Sequence, residues 1–170
     1  MHACVVLQHY LVAMNNSDPI PMLNVAEYLK KFMSADRLYD HIWKDEGGDS
    51  FHFLKSILKT RPRPGTTNTL VDRTLVTADL VSLMLKYGPA LVSGFAVSQD
   101  FTSSAWQHLG ENDQQPIGYH AMVLVGYRTV GWEKRFLLQN WWGEKPYVEV
   151  DLQYLVSSEA SVRFITEKQL

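Results

Sequence analysis

Apolar and polar positions change rhythm about two fifths of the way along the chain. Before that point the spacing is helical. Residues 4–14, CVVLQHYLVAM, are apolar on most faces of a helix and predict a buried one. NNSDPIP then breaks the pattern, and residues 23–33, LNVAEYLKKFM, predict an amphipathic helix. DEGGDS reads as a turn, with Asp49 or Ser50 placed to cap a helix over FHFLKSILK. RPRPGTTN, residues 61–68, is the plainest loop in the chain. Thr77 is positioned to cap ADLVSLMLKY, and Gly88 follows as the residue that ends it.

From residue 89 the runs are strand-like: PALVSGFAV, HAMVLVGYR, KRFLLQNWW, YVEV and SVRFITE. TVGWE reads as a hairpin loop between the second and third runs, and DLQYLVSS as a short helix before the last. Helices first and antiparallel strands second define an α+β protein. The expected organisation is one domain over 1–170, with a helical subdomain at 1–64 and a mainly β subdomain at 65–170. A site between two such halves would lie in a cleft.

Composition narrows the function classes. The chain has 170 residues and a formal net charge of −2, so no basic surface points to nucleic acid. Its apolar runs are far shorter than the ~20 residues of a membrane helix. The N-terminal residues lack the charged and small-residue pattern of a signal peptide. A single cysteine, Cys4, cannot make an internal disulfide, which fits a reducing compartment. There is no His-x-x-x-His pair, no second cysteine and no carboxylate cluster, so no metal is expected. Neither a Gly-rich phosphate loop nor a GxSxG elbow is present, and no cofactor is expected.

Three residues stand out. Cys4 starts a predicted helix, where unpaired N–H groups and the helix dipole stabilise a thiolate. The thiolate is the nucleophilic form. A buried structural cysteine is the plainer alternative. Of the six histidines, His120 alone directly precedes a long strand-like run, a rigid mount for a general base. Its alternative is a histidine hydrogen-bonded at a sheet edge. Asn140 ends the next strand. If the two runs form a hairpin, the Asn140 amide oxygen can accept the imidazole N–H and fix its orientation. The two tryptophans after it are either a shield for that hydrogen bond or plain aromatic core.

The order Cys, His, Asn resembles the papain-like cysteine peptidases. HAMVLVGY is similar to that family's histidine strand. LLQNWWG is similar to its KNSWG segment, with Trp141 in place of the serine and Trp142 as the covering tryptophan. EGG with FLKSIL, and LMLKYGPALVSGFAVSQDF, are similar to the glycine pair with its following helix and to the helix–strand unit before the histidine. The resemblance implies a papain-like α+β fold with the cysteine helix packed against an antiparallel sheet. It implies a thiol hydrolase acting on a protein or peptide through Cys4, His120 and Asn140. Trp142 and Trp141 would shield the pair, and Gly47 and Gly48 would hold substrate backbone. Val5 stands where the family usually has Trp, and only three residues precede Cys4 where the family's oxyanion Gln lies six before. Two alternatives follow: a weak or inactive binding module on the same scaffold, and an acyltransferase or deamidase on the same three residues. The compact spacing resembles bacterial effector or toxin domains more than disulfide-rich secreted proteases.

Overall fold

The computed structural model describes residues 3, 4, 6, 7, 66–73, 79–103, 108–110, 115–142 and 145–169. The helices expected over 23–33 and 51–59, the RPRPG loop, Thr77, Gly47 and Gly48 lie outside the described residues. The chain divides into two compact units, one of residues 1–68 with 167–170 and one of residues 69–166. In the first unit, Ala3, Cys4, Val6 and Leu7 are helical, and Cys4 and Leu7 are buried.

Most of the described residues build one sheet. Its strands are β1 (Thr66–Arg73), β2 (Ala90–Val97), β3 (His108–Leu109), β4 (Gly118–Val130), β5 (Glu133–Trp142), β6 (Lys145–Asp151) and β7 (Ser161–Gln169). They lie side by side in the order β1-β7-β2-β4-β5-β6-β3. The five from β7 to β6 pair antiparallel, and β3 runs parallel to β6 at one edge. Between them fall α1 (Leu80–Tyr87), α2 (Gln99–Ser103) and α3 (Leu152–Ser157).

Alternation explains the core. One cross-strand row runs Phe164, Ala90, Leu124, Leu138, Val148, and every member is buried in the same cluster. Side chains opposite one another on neighbouring strands share a face, so this row is the floor on which the helices pack. The helix α1 adds Leu80, Leu83 and Met84, the i, i+3, i+4 spacing of an apolar stripe. It ends at Gly88, whose N–H still reaches the Met84 carbonyl at 2.8 Å and whose φ of 81° turns the chain out of the helix. The residue at its N-cap is Asp79, two places after the expected Thr77.

The expected strands are present, with shifts at their ends. Thr66–Asn68, read as loop from TTN, opens β1. The strand β4 starts two residues before His120, so the histidine stands inside the strand. Likewise β5 runs on through Trp142 and does not stop at Asn140. None of β1, α2 and β3 was expected from the sequence.

Candidate active site

His120 and Asn140 meet at one end of the central hairpin. The β4–β5 register runs from Val130↔Glu133 at the turn to Val123↔Gln139. Past that last pair the two strands are joined by side chains, His120 Nε2 lying 2.9 Å from Asn140 Oδ1. Alternation back from Leu124 and Met122 puts His120 on the core-facing side, and alternation on from Leu138 does the same for Asn140. Asn140 is 4 % exposed and His120 half-buried.

Sheet irregularities frame the pair. A bulge in β2 between Val92 and Phe95 sits just before the Phe95↔His120 register, and Gly94 takes it up with a φ of 68°. A second bulge puts Asn140 and Trp141 opposite one residue of β6, between the pairs Gln139↔Tyr147 and Trp142↔Lys145. That one residue is Pro146, which has no N–H to give the ladder. The break therefore falls where Asn140 leaves regular pairing, and bulges commonly re-aim side chains beside active sites.

The hydrogen bond fixes the histidine's chemistry. An amide oxygen only accepts, so Nε2 carries the proton and donates it to Asn140. In the neutral ring Nδ1 is then the basic nitrogen. Burial holds the His120 pKa below its ordinary 6.5, and the Asn140 hydrogen bond opposes that shift in part. An aromatic cluster packs against the imidazole. The Phe101 ring stands edge-on to the imidazole at 6.4 Å between centroids. Phe101 in turn packs on Phe95 at 5.4 Å, and Phe95 stacks on Tyr154 at 5.4 Å.

The remaining candidates are placed as follows. Cys4 is helical and buried in the first unit. Trp141 and Trp142 are residues of β5. Gly47 and Gly48 lie outside the described residues. Two residues escaped the sequence reading, Phe101 against the His120 ring and Lys145 against Phe101. The Ser98-Gln-Asp-Phe run carried a capping signal for the short helix that holds Phe101. Nothing in the sequence marks Lys145 as buried, because its partner is a backbone carbonyl 44 residues away. Among the described residues no group of three or more His, Cys, Asp and Glu gathers to hold a metal, and no helix is long and apolar enough to cross a membrane.

No protein-family model matches the sequence, and no curated protein matches it. Solved structures do. One from work on the mite allergens Blo t 1 and Der p 1 superposes with a TM-score of 0.67 at 16 % identity, over 97 % of this chain and 62 % of that one. The bromelain protease from Ananas comosus, in complex with the E64 inhibitor, superposes with a TM-score of 0.62 at 13 % identity, over 97 % of this chain and 86 % of its own. Digestive procathepsin L 3 of the Tenebrio molitor larval midgut gives a TM-score of 0.50 at 17 % identity, over 83 % of this chain and 46 % of that one. The chain thus spans less than two thirds of the mite allergen structure. These neighbours are cysteine proteases, and the fold defined here is the papain-like α+β fold.

Proposed function

We propose that the protein is a papain-like thiol hydrolase acting on peptide or isopeptide bonds. The observation that carries the reading is the His120–Asn140 hydrogen bond at 2.9 Å, set at the bulged end of a papain-like sheet. It gives the imidazole one tautomer, with Nδ1 as base. Cys4, near the start of a helix, is the nucleophile. His120 Nδ1 takes the Cys4 thiol proton, and the thiolate–imidazolium pair forms. The thiolate adds to the substrate carbonyl, and His120 returns the proton to the departing amine. A thioester is left on Cys4, and water attacks it with His120 again as base. Asn140 holds the imidazole through both halves of the cycle. Trp142 and Trp141 shield that hydrogen bond, and Gly47 and Gly48 bind extended substrate backbone. The same thioester can pass to an amine in place of water, so acyl transfer uses the same residues.

The test is hydrolysis of a fluorogenic peptide pool by the full chain, Cys4→Ala and His120→Ala. Loss of turnover in Cys4→Ala and a fall of about 10²–10⁴-fold in His120→Ala are expected. Full activity in Cys4→Ala would overturn the reading.

A further inference from the structure

Lys145 is 5 % exposed at the start of β6. Its ammonium donates to the main-chain carbonyl of Phe101 and lies over the Phe101 ring, 4.9 Å from the centroid. No carboxylate pairs with it among the described residues, and burial holds its pKa below the usual lysine value. Burying a lysine ammonium costs stability, and what offsets it here is its contact with Phe101.

What it touches is α2, a helix of five residues. So short a helix leaves nearly all its carbonyls without intrahelical partners, and it does not persist on backbone bonds alone. The first pin is at its N-terminus. Ser98, buried, accepts the Phe101 N–H on its hydroxyl at 3.3 Å, and its carbonyl receives the Thr102 N–H at 3.3 Å. The second is Lys145, which donates to the carbonyl of Phe101, the middle residue of the helix. Both pins act on Phe101, and the Phe101 ring meets the His120 imidazole in a T-shaped contact.

We propose that Lys145 is a positioning residue, a clamp from β6 that fixes Phe101 against the His120 imidazole and so keeps that ring dry and turned toward Asn140. The clamp deepens the reading of His120 as general base, but it is tested without activity. In the 170-residue chain the His120 ring signal is followed by NMR against pH, assigned by its absence in His120→Gln. The wild type titrates below 6.5. In Lys145→Met, water reaches the ring and the midpoint rises toward 6.5. Lys145→Arg, which can still donate to the carbonyl and stack on the ring, keeps the midpoint low. Losing the lysine charge would itself raise the midpoint, so Ser98→Ala is the second variant. It loosens α2 without changing charge, and it also raises the midpoint. It decides the matter if Lys145→Met does not fold. A role in stability alone would lower Tm and leave the titration of the folded protein unmoved. An unmoved midpoint in folded Lys145→Met, or in folded Ser98→Ala, overturns the proposal. If the midpoints move while Cys4 reactivity proves independent of His120, the clamp stands and the hydrolase reading falls.

Discussion

At His120 one hydrogen bond and one burial effect pull in opposite directions, and burial wins. The pH consequence follows from which state holds more protons. The folded pKa lies below the unfolded 6.5, so below that pH the unfolded chain binds more protons. The stabilisation is complete above pH 6.5 and is lost as pH falls through the folded value. Urea midpoints at pH 7.5 and pH 5 measure this, and His120→Gln removes that part of the pH dependence. Asn140 makes the complementary prediction. Asn140→Ala leaves the buried Nε2–H without its acceptor and costs about 1–3 kcal/mol in urea unfolding. Asn140→Asp keeps an acceptor and adds a negative charge, so the His120 midpoint rises in the NMR titration.

The hairpin β4–β5 sets where those two residues meet. Its turn places Gly131 and Trp132 between the pair Val130↔Glu133, with Gly131 at a φ of 61°. A positive φ at the first turn residue matches the tight turn that suits the twist of two strands. Gly131→Ala therefore costs about 1–2 kcal/mol in urea unfolding. Trp132 is fully exposed, and Trp132→Ala stays within about 0.5 kcal/mol of the parent. Much of this level was legible in the sequence. Alternating runs marked the strands from β2 to β7 apart from β3, and Gly131 with its neighbours marked the turn. His120 was legible because a lone histidine heads an apolar run. The helix α2 was not, since five residues cannot display a helical period, and its pins are Ser98 and a lysine far along the chain. The strand β1 was hidden because Thr66–Asn68 continue a proline- and glycine-rich loop, which left too short a run for an alternating pattern. Lys145 was hidden for a related reason. A lysine reads as surface unless a distant carbonyl captures it.

Across the whole molecule, the sheet carries one further charged device. Glu149, 6 % exposed, accepts Arg128 through both oxygens at 2.7 and 2.8 Å, and Arg135 Nη1 at 3.4 Å. Arg135 also lies 3.8 Å from Asp151. These hydrogen bonds and charges hold the Glu149 pKa below its ordinary 4.5, the Arg128 hydrogen bonds most of all. The unfolded chain thus binds the extra proton first. This stabilisation is present above pH 4.5 and lost as pH falls through the folded value. Glu149→Gln lowers Tm at pH 7, and the difference from the parent shrinks in acid. Arg128 is 63 % exposed, so salt weakens the effect.

The proposed mechanism needs Cys4 and His120 to act as a pair. The most direct test is the rate of Cys4 alkylation against pH, read by mass spectrometry in the wild type and in His120→Ala. The mechanism predicts rapid modification below pH 7 that is lost without His120. A thiol that is inert, or that titrates near the free value of about 8.5 with or without His120, would contradict it.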